Sequence, residues 1–534
     1  MEINPIPFSD LPFGRLFTLL MDGDDRATAL YSHAPFDFKA RMRTEWRSPA
    51  HTVPLLSEFN RPFEPSPETV ANIERLADPT TKCLVTGQQL TVFGGPLYTF
   101  FKIASTIATA KRLSAESGVH VVPVFWLADE DHDYDEVASV QLIKGADIAT
   151  FTLADEGSLP LPVADRVIGP NISAFTDEVF EALGTTDFTH ELRQLIDGCY
   201  TQGQTHGNAF GRLMAKIFGK HGLVLAGSNH PDIKEALFPV ILRAVDRAGE
   251  VYEALERQSA LAETVSPRQA QVSDSLLFYL NPEVGGARER IHHESGTWTA
   301  GESVRWTTDA LIDDIMQHPG RFSPNVFLRP ILQDYLVPTL AYVAGPGEMA
   351  YYAQMKELYG VFSKEMPIIT PRHSATIVEP AIRRLIDELP FEFLDYKARV
   401  DELEKQYIAQ HSGIDPVQLA SDWLTELSDA SQKYIDAVGA EDPTLKASAD
   451  KLVSEFESSI DRLKGKLMRS VKQKEQTGIN RIRRVKTSLF PENGLQERTL
   501  SGIYFMNKYG VDVWDRLIDA FAENDANRHL VVDL

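Results

Sequence analysis

The chain has 534 residues, 43% of them hydrophobic, and its 53 basic against 76 acidic side chains leave a formal net charge of −23. That length exceeds what one hydrophobic core usually serves, so two or three domains are expected. The acidic surface repels phosphate backbones and argues against nucleic acid as a partner; no apolar run approaches the roughly 20 residues needed to cross a bilayer.

The first 25 residues lack a basic segment followed by a long apolar stretch, so no export signal is expected. Cys83 and Cys199 are the only cysteines. Two thiols make neither a disulfide framework nor a four-thiolate metal site, which fits a reducing cytoplasm. Residues 1–80 mix proline-rich turns with helical pieces expected at Tyr31–Ser48 and Pro67–Leu76.

The stretch Lys82–Glu136 organises the rest. Leu84–Thr86 is a short β-prone run that stops at Gly87, followed by Gln88, Gln89 and the pair Gly94-Gly95. Pro96 suits the first position of a helix. Leu97, Phe100, Phe101, Ala104, Ile107 and Ala108 then recur at helical spacing. Val119–Ala128 is an apolar run of strand length, and it ends in Asp129-Glu130-Asp131-His132-Asp133. Strand, helix and strand in this order predict a right-handed βαβ unit with a parallel pair. Gln88 and Gln89 then face the acidic run across the crevice where open α/β sheets bind ligands.

Further on, Val137–Leu153 is expected to return as strands, and Thr176–Gln194 and Asn208–Phe218 to be helical. Gly222–Gly227 is a compact strand. Ser228 or Asp232 can cap the helix after it; Asn229 and His230 are read as turn chemistry or as ligand contacts. Residues 265–325 are short, β-like and broken by Gly, Pro and Asn, which predicts a β-rich insertion. The core resumes through Arg329, Gln333 and Asp334, a buried strand at Leu340–Ala344, the turn Gly345-Pro346-Gly347-Glu348, a helix with Tyr351, and a strand Met366–Thr370 ending at Arg372. The helix near Glu348 offers N–H groups, and Arg329 and Arg372 offer forked donors. Both suit a carboxylate or phosphate, while pairing with the chain's own acids is the alternative for the arginines.

Residues 382–488 are poor in glycine. Leu445, Leu452, Phe456, Ile460, Leu463, Leu467 and Val471 form an apolar stripe, and an antiparallel helical arm is expected. From Arg462 to Lys486 there are ten Lys or Arg and one acid. Arg481, Arg483 and Arg484 either bind a nucleotide phosphate or lie on a solvated face paired with acids such as Glu388 and Glu404. Residues 489–534 return to the core. The expected class is thus α/β: a Rossmann-like doubly wound parallel sheet over 1–381, the insertion, and a coiled-coil arm over 382–488.

Gly87-Gln88-Gln89, Phe93–Tyr98 and Trp126–Ala128 followed by Glu130–Asp133 together resemble the BshC family, the cysteine ligases of bacillithiol biosynthesis. LRPILQD at Leu328–Asp334, YVAGPGEMAYYAQ at Tyr342–Gln354, PIITPR at Pro367–Arg372 and Leu489–Arg498 agree. The resemblance implies that cysteine's carboxyl is joined to the amine of glucosaminyl malate, and that the arm makes a homodimer. Amide formation from a carboxylate needs activation, which ATP commonly supplies, and a base for the amine. The fold resembles class I aminoacyl-tRNA synthetases, yet neither their two signature motifs nor a GxxxxGK[ST] loop is found, so ATP or ADP use is not read from the residues.

Glu130, Asp131, His132 and Asp133 match the family's run, whereas Asp129 stands where a small neutral residue is expected and receives no role. His132, held by Asp131 or Asp133, is the expected base, with its pKa raised by those carboxylates. Helix capping and metal binding are the alternatives for the run; its spacing fits no standard metal cage, so no metal is expected. Gln88, Gln89, Gly94, Gly95, Tyr98, Lys102, Arg329, Gln333, Asp334, Glu348, Tyr351 and Arg372 are the candidate substrate contacts. Two other readings stay open: a nucleotidyltransferase or metal-assisted hydrolase on the same core, and a non-enzymatic dimeric scaffold.

Overall fold

The structure is a computed structural model that describes residues 1–44, 51–155, 157, 160–411 and 415–534. At its centre lie five parallel strands: Lys82–Gln88, Val121–Leu127, Val224–Ala226, Thr339–Ala344 and Ile368–Pro371. Numbered along the chain, they stand across the sheet in the order third, second, first, fourth, fifth. The order reverses between the first and fourth strands, which opens a crevice at their carboxyl ends. Val121–Leu127 is buried throughout, as expected of a parallel strand covered on both faces.

The helix Leu97–Ser117 connects the first two strands and ends on Gly118, whose φ of +71° closes the last turn. Its Phe100 ring stacks on Trp514 at 4.4 Å, so the C-terminal helix Val513–Glu523 covers it. Gly94 and Gly95 form the turn before this helix at φ +89° and +74°. A Cβ at Gly94 would lie 2.5 Å from the Phe100 ring, and one at Gly95 2.6 Å from Thr91. These glycines shape the turn.

Residues 277–324 carry a second, antiparallel sheet with strands Leu277–Asn281, Ala287–Glu294, Thr297–Ala300, Val304–Thr307 and Phe322–Pro324. A third sheet joins distant parts of the chain: His529–Asp533 lies between Glu2–Ile6, antiparallel, and Ser374–Val378, parallel. The arm is a helical hairpin, Pro416–Glu441 against Lys446–Lys474. At its base Val400–His411 packs on Gln476–Leu489, with Leu403, Ile482, Val485 and Leu489 buried beside Ile382 and Ile386.

Three local expectations fail. The expected helix Thr176–Gln194 is two, Ile172–Leu183 and Thr189–Cys199, parted at Gly184. Of Tyr31–Ser48 only Lys39–Met42 is helical, because Pro35 and the turns around it break the pattern; residues 45–48 lie outside the described set. Neither Ser228 nor Asp232 caps the helix Pro231–Asp246, which starts from an uncapped His230; Ser228 turns towards Glu130 instead. Among the described residues no helix is long and apolar enough to cross a membrane.

Candidate active site

Two cavities lie at the carboxyl end of the central sheet. The first, about 430 Å³, occupies the crevice between the first and fourth strands. Gly87, Gln88 and Gln89 come from the end of the first strand, Tyr98 and Lys102 from the helix after it, and Gly345–Glu348 from the end of the fourth. Arg329, Tyr351, Arg372 and Arg498 complete the wall.

Lys102 is the hub of this wall. Its buried ammonium donates to the Gly87 carbonyl at 2.7 Å and to Gln88 Oε1 at 2.9 Å, and it pairs with Glu348 at 2.5 Å. Glu348 also accepts from the Gly345 N–H and the Tyr342 hydroxyl, each at 2.7 Å. Burial works against the Glu348 charge, but Lys102, Gly345 and Tyr342 outweigh it and hold the carboxyl below its ordinary range. One N–H at this helix start, that of Gly345, is thus taken by the chain's own Glu348.

The two arginines differ. Arg372 forks onto Glu497, a buried pair, as the alternative reading anticipated. Arg329 donates to the Tyr351 hydroxyl at 2.7 Å and, among the described residues, makes no ion pair. It is a guanidinium at the cavity wall without a carboxylate.

The second cavity, about 390 Å³, lies along the ends of the second and third strands. It is lined by Asp129, Glu130 and Asp131 from the end of the second strand and by Arg288 and Arg290 of the inserted sheet. Ala128, Val326 and Arg329 line both cavities. Gln89 bridges them as well, donating to Asp131 at 2.7 Å. Gln89 and the acidic run thus meet as the βαβ geometry requires, whereas Gln88 turns to Lys102.

Within the run the acids have separate partners. Asp129 accepts the Ser228 and Asn229 N–H groups at 3.1 Å; burial and the neighbouring Glu130 push its carboxyl up to about 7. Glu130 pairs with the buried Lys234 at 2.6 Å and accepts from Ser228. Asp133 caps the short helix Tyr134–Val137. Neither Asp131 nor Asp133 holds His132, whose Nδ1 sits 3.0 Å from the Glu130 carbonyl and whose Nε2 is buried without a partner. The expected rise in its pKa is also reversed. Burial and the Arg288 cation push the imidazole below its usual range, and Asp131 opposes them only in part. His132 lines neither cavity; Asp131, its neighbour, does.

Gln333 and Asp334 are placed away from both cavities. They are buried at the end of the helix Leu328–Leu336, before the fourth strand begins, and Asp334 accepts from the Tyr359 hydroxyl at 2.7 Å. On the arm, Arg481 pairs with Glu388 at 3.0 Å and Arg483 with Glu404 at 2.7 Å. Arg484 is exposed. Among the described residues no three His, Cys, Asp or Glu side chains are grouped to hold a metal ion.

Sequence reasoning did not single out Arg288, Arg290, Arg498 or Lys234. Only Lys234 carries a local signal: it falls on the buried stripe of its helix with Leu237 and Ile241, where a cation needs a partner.

The family comparisons agree with this architecture. Residues 1–373 match the family model described as the N-terminal Rossmann-like domain of bacillithiol biosynthesis BshC, and residues 375–534 match its C-terminal coiled-coil domain. Relatives from Koribacter versatilis and Chlorobaculum tepidum are 34% and 31% identical. Each alignment covers 96% of this chain and 97% or 92% of the relative. A relative from Bacillus cytotoxicus is 28% identical over 90% of both chains. All three bear the name "Putative cysteine ligase BshC". With both halves matched in order and the sheet, insertion and arm in place, the chain belongs to the BshC family of bacillithiol biosynthesis.

Proposed function

We propose that the chain is a carbon–nitrogen ligase that joins the carboxyl of cysteine to the amine of glucosaminyl malate, the step that completes bacillithiol. The observation that carries this reading is Arg329. It is a guanidinium that makes no ion pair among the described residues, on the wall shared by two adjoining cavities, and it suits an anionic substrate brought next to a second one. Gln88, Gln89, Tyr98 and Tyr351 offer hydroxyls and amides to a sugar. Lys102 and Glu348 fix the wall that carries them.

ATP or ADP enters the proposal as co-substrate: a phosphoanhydride bond is broken as the cysteine carboxyl becomes a mixed anhydride, and the phosphate-bearing group leaves when the amine attacks. Arg484 is the arm arginine best able to meet a phosphate, since Arg481 and Arg483 already hold carboxylates. His132 is the proposed proton acceptor for the attacking amine. With Nδ1–H donated to the Glu130 carbonyl, the lone pair lies on Nε2. The enzyme is proposed to work in the cytoplasm as a homodimer joined through the arm. The test is mass spectrometry of the full-length protein with cysteine, glucosaminyl malate and ATP. Product heavier than glucosaminyl malate by one cysteinyl residue is expected, and its absence under all nucleotide conditions would overturn the reading.

A further inference from the structure

The second cavity is lined by charges of both signs, and three of the six are already engaged. Glu130 is neutralised by Lys234, and Asp129 holds two backbone N–H groups. Arg288 lies 3.8 Å over the Phe278 ring and donates to Ser323 and Pro324. Three groups remain. Asp131 accepts from Gln89 and the Asp133 N–H, yet a carboxylate has about four acceptor positions. Arg290, 5.6 Å from the Phe278 ring centre, and Arg329, which donates to Tyr351, make no ion pair among the described residues. Trp126 also lines the cavity, and its buried indole N–H has no hydrogen-bond partner among the described residues.

One acid and two arginines on the wall of one small cavity complement neither a simple anion nor a simple cation. It complements a group of both signs. The geometry points to this cavity as the site of the α-amino acid, cysteine on the ligase reading above. Its ammonium sits on Asp131 and its α-carboxylate on Arg290 and Arg329. Phe278 and Pro324 give the thiomethyl side chain an apolar wall. Because Arg329 also borders the first cavity, the carboxyl carbon faces the compartment left for the sugar amine. The two cavities are then two substrate sites, and the shared residue stands where the bond forms.

The assignment rests on the ligase reading and is tested by calorimetry on the full-length protein under reducing conditions. The probes are L-cysteine, 3-mercaptopropionate (no ammonium) and cysteamine (no carboxylate), with glucosaminyl malate titrated separately. The parent should bind cysteine at least about tenfold tighter than either truncated probe, about 1.4 kcal/mol. Asp131→Asn should erase the preference over 3-mercaptopropionate and leave glucosaminyl malate within about twofold. Arg290→Gln should weaken cysteine and 3-mercaptopropionate but not cysteamine. If both variants discriminate like the parent, the amino acid binds elsewhere and the assignment fails. It fails equally if the parent binds glucosaminyl malate but not cysteine. Binding of neither substrate would instead remove the ligase reading beneath it.

Discussion

Arg372 and Glu497, 125 residues apart, meet through two hydrogen bonds of 2.9 and 2.6 Å, both side chains buried behind the wall of the first cavity. Glu497 also accepts from Ser374 Oγ and from the Ala375 N–H, so the pair ties the end of the fifth core strand to the C-terminal segment. Breaking such a pair leaves one charge buried alone, which costs about 3–5 kcal/mol. Arg372→Gln should therefore lower the urea midpoint sharply, while Arg372 and Glu497 replaced together by Met and Leu should recover much of the loss. Burial opposes the Glu497 charge, but Arg372 outweighs it and holds the carboxyl below its ordinary range. The stabilisation is thus present above the unfolded carboxylate value, about 4.3, and should fade as pH falls through the folded value.

His132 is the proton acceptor of the proposed mechanism, and its low pKa fixes the sign of the pH response. A depressed pKa leaves the imidazole neutral at pH values where an ordinary histidine is already charged. The acid limb of the rate profile should therefore fall below the ordinary value, about 6.5. His132→Gln should lower turnover by about 10²–10⁴ and remove that limb. Parent-like turnover from a folded variant would reassign the base.

Arg329 should act on binding more than on chemistry. Losing a charge-assisted contact of about 1.5–3 kcal/mol predicts that Arg329→Gln raises KM by about 10–100-fold with a smaller change in kcat. A fall in kcat alone would place Arg329 in the chemical step.

On the arm Leu452, Phe456 and Leu463 are each at least half exposed, although they share one helical stripe with the buried Ile460. An uncovered apolar row of this kind suits a second copy of the chain. Leu452→Glu with Phe456→Glu should give monomers by light scattering and leave the circular-dichroism spectrum intact. A persistent dimer would place the interface elsewhere. A deletion that tests the same point should span Pro416–Lys474 only, because Ile482 and Val485 at the arm's base belong to a buried cluster with Ile382.

The legible part of this molecule was local. Val121–Leu127 announces a buried strand by its unbroken apolar run, Leu97–Ser117 by its spacing, and the arm by its stripe. Gln88, Gln89 and the acidic run could be placed together because a βαβ unit has one hand. The remaining walls could not be read this way. Glu130 finds Lys234 across 104 residues, and Arg288 reaches the acidic run from a separate sheet. No periodicity links such pairs. The direction of the His132 shift was missed for a related reason. Asp131 and Asp133 are adjacent in sequence, but burial and Arg288, which lie nearer in effect, come from the fold.

Ser374–Val378 runs beside His529–Asp533 in register, Ser374 opposite His529 and Val378 opposite Asp533, and the whole arm lies between them in the chain. Closing a loop costs only about 0.6 kcal/mol more for each doubling of its length. The strand pair therefore holds almost equally well whether the excursion is short or long. Arm length is a nearly neutral variable for the sheet, so the reach of the hairpin can be lengthened or trimmed by whole turns while the crevice keeps its shape.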